Sequence, residues 1–298
     1  MVNGVVIVRK EKGMTSFGVV ARMRRIFRQK KIGHTGTLDP DAEGVLPVCL
    51  GKATRLVEEL SRGTKTYRAV LILGIRTDTQ DLSGTVLSRS AVSVTDQQAE
   101  AAVLSFRGRQ MQMPPMYSAL KVNGRKLVDL ARKGIEVERK PREVEFSDFR
   151  ILATELPRIT FEVTCSHGAY IRTLCSDIGD RLGCGGCMES LLRTRVETFD
   201  LADALTLYEI EEKTARGETD FILPPEYFYR DLPAAEVRDS ALKVTLNGRP
   251  VSGTDLFFPD GVTAPERIRL FTADGTFIGV SRKEGRLYRI EKYYMETD

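Results

Sequence analysis

The segment richest in chemistry is Gly33-His34-Thr35-Gly36-Thr37-Leu38-Asp39-Pro40-Asp41-Ala42-Glu43-Gly44-Val45-Leu46-Pro47. Glycines let a backbone approach a ligand closely. Pro40 biases the residue before it towards an extended conformation, which holds the Asp39 side chain outward. A carboxylate presented in this way can act as a nucleophile or a base. The same residues also read as a plain turn or a weak metal loop. Arg172, in Ser166-His167-Gly168-Ala169-Tyr170-Ile171-Arg172, is a second candidate. It falls at the start of a predicted helix, where the helix dipole disfavours a cation. That misfit points to a carboxylate or phosphate partner; the alternative is an exposed first-turn arginine. Cys184-Gly185-Gly186-Cys187 has the spacing of half a zinc site. No second pair stands at ligand spacing, and Cys175 with His167 would complete it only in an unusual geometry, so packing is expected and no metal.

The surrounding pattern says what positions these groups. Met1–Val8 reads as a first strand. Thr15 or Ser16 caps a helix expected to run to about Lys31, with Val19, Val20, Met23, Ile26 and Phe27 on one face and arginines on the other. Lys52–Leu60 and Thr95–Phe106 read as helices, and Tyr67–Gly74 as a strand. Met111–Tyr117 contains Pro114-Pro115 and is expected to be extended. Val144–Ile151 and Arg158–Cys165 read as strands, and Tyr170–Leu182 as a helix. Strands and helices do not alternate strictly, which predicts an α+β fold. The composition changes near Pro224–Pro233. Beyond it Arg267–Thr272, Thr276–Ser281 and Arg286–Lys292 read as strands, with a hairpin at Asp274-Gly275. Asp78 and Asp81 read as turn formers, and Tyr117 as a packing residue.

The net charge is only +4, but its distribution is uneven. Gly13–Leu38 holds six Lys/Arg and no acid; Lys121–Arg142 holds eight basic residues against three acidic. Clustered positive charge suits a polyphosphate backbone, or simply a solvated face. No apolar run reaches the roughly 18 residues that span a bilayer. The start carries no signal-peptide pattern, and five cysteines are an odd number. Reduced thiols and a cytoplasmic location are expected.

The Gly33–Pro47 loop resembles the motif of the bacterial tRNA pseudouridine-55 synthases, the TruB family. The similarity continues through Gly51-Lys52-Ala53-Thr54-Arg55 and includes Lys12-Gly13-Met14-Thr15-Ser16, Lys65-Thr66-Tyr67 and Thr77-Asp78-Thr79-Gln80-Asp81. Pro114-Pro115-Met116-Tyr117-Ser118-Ala119-Leu120-Lys121, Ser166–Arg172 and Leu191-Leu192-Arg193-Thr194 complete it. The resemblance covers roughly residues 3 to 200. It implies a pseudouridine-synthase fold with a mixed, mostly antiparallel sheet over residues 1–232, an RNA-binding insert at about 105–142, and a small β-rich PUA-like domain over 233–298. It implies isomerisation of one T-loop uridine of tRNA after base flipping, without a cofactor. A catalytically silent tRNA-binding and folding protein on the same scaffold is the alternative. By resemblance Asp39 is the essential aspartate, Tyr67 stacks on the base, Tyr170 lines the pocket and Arg172 pairs with Asp39. Leu192 lines the base site, and His34 enters the T loop. Arg24, Lys31, Arg55, Lys65 and Lys121 are expected phosphate contacts. The T-arm stem-loop is the expected partner, with no obligate protein partner and a monomeric enzyme. Ala169, Glu197 and Val128 depart from the family's usual threonine, glycine and tyrosine.

Overall fold

A computed structural model describes residues 1–259 and 265–295; the remaining residues of the expected C-terminal domain, 260–264 and 296–298, lie outside the described residues. The strand Glu43–Leu50 carries almost no exposed residue, so it belongs in the middle of a sheet covered on both faces. Its neighbours are Gly4–Lys10 and Gly186–Val196. The sheet continues through Lys65–Leu73, Arg158–Cys165, Arg142–Glu155 and the edge strand Gly108–Gln112. Ile32–His34 also pairs with Glu43–Leu50, and Phe199–Asp200 with Gly186–Val196. Every pair is antiparallel except Glu43–Leu50 with Gly186–Val196. The architecture is the expected α+β fold with a mixed, mostly antiparallel sheet.

The helix Ser16–Ile26 starts where the Thr15 hydroxyl accepts from the Gly18 amide at 2.9 Å, satisfying one of the unpaired first-turn donors. It buries Val19, Val20 and Met23. It stops short of the expected Lys31, because Phe27 closes the last turn and Arg28 takes a left-handed conformation. The Gln29 side chain then bonds both backbone groups of Val2, turning the chain towards the first strand. Helix Ile171–Arg181 buries Ile171, Leu174, Cys175 and Ile178 against the sheet. At Gly179 its backbone meets that of Gly186 so closely that a Cβ would lie 2.1 Å from the Gly186 nitrogen. Lys52–Leu60, expected as one helix, is a 3-10 turn over Gly51–Leu56 followed by a short helix Val57–Ser61. Among the described residues no helix is long and apolar enough to cross a membrane.

A second, six-stranded sheet follows. Its order is Val251–Ser252, Leu287–Tyr293, Phe277–Glu284, Arg267–Phe271, Ala234–Val237 and Leu256–Phe257. It contains a helix that the sequence pattern did not suggest, Asp239–Leu246. Val237, Ile268, Leu270, Ile278 and Tyr288 form its own core. Phe277, Val280 and Tyr294 face the other way and join Val5, Cys49, Ala53, Leu56 and Tyr229 in a shared apolar cluster. Within it the Tyr229 and Tyr294 hydroxyls are 2.9 Å apart, and Glu59 accepts from Tyr229 and pairs with Lys292.

Candidate active site

Asp39 stands on the loop between strands Ile32–His34 and Glu43–Leu50. The loop is latched before and after it. The Ser16 hydroxyl accepts from the Leu38 amide at 2.9 Å and donates to its carbonyl at 3.1 Å. Lys10, fully buried at the end of the first strand, donates through Nζ to the carbonyls of Glu11 and Pro40 at 3.0 Å and of Ala42 at 2.6 Å. Burial pushes the Lys10 pKa down, opposed by the charges of Asp39, Asp41 and Glu43. Its role was invisible in the sequence, where it looks like any polar strand end.

Arg172 grips the Asp39 carboxylate at two points: Nε lies 2.8 Å from Oδ2, and Nη2 3.2 Å from Oδ1. Paired bonds of this kind fix geometry as well as charge. Arg172 is 5% exposed, and its guanidinium is otherwise spent on the Thr79 carbonyl at 3.0 Å and the Tyr117 carbonyl at 2.9 Å. Asp81 Oδ2 lies 3.6 Å from its Nε. Two carboxylates therefore explain a cation in the first turn of a helix. Asp81 is also the turn former that was expected, accepting from Thr79 Oγ and the Ser83 amide. Burial raises the Asp39 pKa, Arg172 opposes the rise, and Asp81 adds to it.

Two clefts meet at this pair. One, of about 400 Å³, is lined by Gly36, Leu38, Asp39, Lys65, Tyr67, Ser118, Tyr170, Leu191 and Arg193. The other, of about 760 Å³, includes Asp39, Asp41, Asp78, Asp81, Arg132 and Glu189. Tyr117 and Val128, from the 105–142 segment, border both. Tyr67 is buried and Tyr170 half-buried; burial raises both phenol pKa values, so their hydroxyls stay protonated. The apolar residue facing this cleft from strand Gly186–Val196 is Leu191, with Arg193 beside it. Leu192, the expected residue, pairs with Glu43 and Arg68 and takes the opposite face, because side chains alternate along a strand.

The expected phosphate contacts divide. Lys31, Arg55 and Lys121 are exposed. Arg24 is half-buried, with its guanidinium 5.7 Å from the Phe17 ring centroid. Lys65 is only 7% exposed and donates to the carbonyls of Ser61 at 2.8 Å and Gly63 at 2.6 Å. Burial and the neighbouring Arg193 push its pKa down to about 8. It braces the loop before Tyr67 and does not offer a surface cation. Arg193, also buried, ties the Val45 carbonyl at 2.6 Å and the Gly36 carbonyl at 3.3 Å. His34 is half-buried; its Nδ1 accepts from the Gly36 amide at 3.3 Å, and burial lowers its pKa. Cys184 and Cys187 are buried thiols, with Cys187 pushed up to about 11 by burial. Among the described residues no group of three or more His, Cys, Asp or Glu could hold a metal ion.

A latched loop that presents a clamped carboxylate to a cleft is the arrangement of an active site, and its likeness to known proteins places it in the pseudouridylate synthase class. The archaeal box H/ACA sRNP Nop10-Cbf5 complex contains a chain with the same fold, at 25% identity and a TM-score of 0.69 over 98% of this chain and 86% of that one. A chain from an H/ACA RNP bound to a substrate RNA containing 2′-deoxyuridine matches equally well, over 85% of its length. The TruB family pseudouridylate synthase N-terminal domain matches residues 24–171, and the tRNA pseudouridylate synthase B C-terminal domain matches residues 172–228. The tRNA pseudouridine synthase B of Clostridium kluyveri is 40% identical over 98% of this chain and 100% of that protein. That of Moorella thermoacetica is 44% identical over 95% of each. The chain belongs to the TruB family of tRNA pseudouridine synthases.

Proposed function

We propose that the enzyme isomerises the uridine at position 55 in the T loop of tRNA, acting alone on the T-arm stem-loop. One observation carries the reading: a carboxylate at the floor of a cleft, clamped by a buried guanidinium and flanked by two tyrosines. In the reaction the N1–C1′ bond breaks, the uracil turns, and a C5–C1′ bond forms. A proton leaves C5 and N1 gains one, so composition is unchanged and no redox partner is needed. Asp39 must meet the reacting nucleotide ionised, and the Arg172 guanidinium favours that form. Tyr67 and Tyr170 offer ring faces to a base taken out of its stack, a contact that contributes about 1–3 kcal/mol per base. Leu191 supplies the apolar wall. His34, neutral and on an edge strand, is placed to enter the loop that the base leaves. Lys31, Arg55 and Lys121 remain available to phosphates.

A silent RNA-binding role is not favoured, because a binder of an anionic ligand gains nothing from a carboxylate held towards it. The test is incubation of the purified chain with an unmodified T-arm stem-loop, followed by mapping of pseudouridine. Modification at the expected uridine supports the reading. Its absence, with RNA bound, returns the silent alternative.

A further inference from the structure

Tyr170 is the residue just before helix Ile171–Arg181, and no side chain of the helix's own segment caps that end. A buried glutamine from elsewhere does the work instead. Gln112 is 4% exposed and closes the edge strand Gly108–Gln112. Its Oε1 accepts from the Tyr170 amide at 2.8 Å, and its Nε2 donates to the Tyr170 carbonyl at 3.0 Å. One side-chain amide thus satisfies both backbone groups of one residue, as a neighbouring strand would. Such a two-point contact fixes where a peptide lies and also how it is turned. Two residues later the chain carries Arg172. Its Nη2 reaches back to the Tyr117 carbonyl, five positions after Gln112. The 112–118 and 170–172 segments are therefore stitched together at two places, and Asp39 hangs on the second.

We infer that Gln112 is a positioning residue of the active site, holding the Tyr170 backbone so that Arg172 keeps its two-point grip on Asp39. The inference rests on the reading that Asp39 and Arg172 carry the isomerisation. Gln112 itself touches no reacting atom. The charged groups facing Asp39 are Arg172 from its helix, Asp81 from the 78–85 loop and Lys10 from the first strand. Of these, Arg172 is the one whose backbone anchor the clamp secures. Loosening it removes a charge that favours the ionised carboxylate, so Asp39 would keep its proton to higher pH.

The test uses the full chain with Gln112→Ala and Gln112→Glu. The glutamate keeps the size and the acceptor but, ionised, cannot donate to the Tyr170 carbonyl. With an unmodified T-arm stem-loop, the single-turnover rate is expected to fall about tenfold or more in both variants. The RNA dissociation constant is expected to stay within about threefold. In Gln112→Ala the acid limb of the pH–rate profile moves to higher pH. A parental rate in both variants would overturn the inference. So would a Gln112→Ala protein with a lowered melting temperature but, well below it, the parental rate and pH profile; Gln112 would then be a packing residue only. Asp39→Asn run alongside separates the two claims. If it retains turnover, the reading of Asp39 fails. If it is silent while the Gln112 variants run at the parental rate, only the clamp fails.

Discussion

Replacing Lys10 by methionine tests whether the loop around Asp39 is held from beneath. Methionine keeps most of the stem's volume and removes three donated bonds. The Glu11 and Pro40 carbonyls are partly accessible, so water can replace the ammonium there. The bond to the Ala42 carbonyl is buried, and leaving that oxygen unpaired costs about 1–3 kcal/mol. Loss of the charge-assisted bonds adds to this, and relief from holding a desolvated ammonium offsets part of it. The net expectation is about 2 kcal/mol, or a melting temperature lower by about 3 °C for a chain of this size. Because Asp39 adjoins Pro40, a small shift of the loop also misplaces the carboxylate, which is expected to slow turnover by about ten- to a hundredfold. Thermal melts followed by circular dichroism, with single-turnover rates well below the midpoint, measure both effects. A variant with the parental melting temperature and rate would show that Ser16 and Arg172 suffice to hold the loop.

Asp39→Asn is expected to abolish turnover and leave RNA affinity within a few-fold, since the amide keeps the shape and loses the charge; filter binding beside single-turnover kinetics decides it. Burial raises the Asp39 pKa, and the proposed reaction needs the ionised form. The rate should therefore be lost, as pH falls, at higher pH than an exposed aspartate would give; a pH–rate profile with its acid limb in the ordinary aspartate range contradicts this. Glu197 takes a left-handed backbone at φ 53°, so Glu197→Gly should relieve about 1 kcal/mol of strain and raise the melting temperature. A fall would show that the Glu197 carboxylate on the Thr64 amide matters more. Ending the chain after Pro233 removes Phe277, Val280 and Tyr294 from a cluster shared with Val5 and Cys49. Loss of stability and solubility should accompany any loss of tRNA affinity, and a truncated protein that melts like the parent would refute the shared core.

What the sequence disclosed and what it hid have physical reasons. Asp39 and Arg172 stood out as local anomalies, a Gly-rich loop and a misplaced cation, but those signals alone also fitted a plain turn and an exposed arginine, and the pairing was implied only by the family resemblance. The strands Glu43–Leu50 and Gly186–Val196 were not, because the first is buried on both faces and shows no alternation to count. The second is interrupted by irregular register between Met188 and Ser190 and again between Arg193 and Arg195. Along such a strand a one-residue slip exchanges its faces, and the resemblance that named Leu192 beside an adjacent Leu191 carried no information on which of the two faces the cleft. Lys10 and Gln112 escaped notice, and Lys65 was expected to be a phosphate contact, for a different reason. Each bonds backbone carbonyls or amides, and no sequence pattern announces a partner that is merely a peptide group. The arginine-rich helix was overextended because nothing in Arg28 itself signals a left-handed turn.

Gly44 gives the loop around Asp39 one further property. Its backbone lies so close to Arg193 that an added Cβ would stand 2.1 Å from the Arg193 carbonyl oxygen, and its φ is +113°. The chain is therefore pinned at residue 44 as firmly as Ser16 pins it at residue 38. Between these two pins the path has a set number of links. One link more or fewer would shift the carboxylate by up to about 3.8 Å, far beyond what a two-point grip by a buried guanidinium can follow. The stretch from 39 to 43 can thus exchange side chains but cannot change its length, and an insertion or deletion there should silence the enzyme while leaving the rest of the sheet able to form.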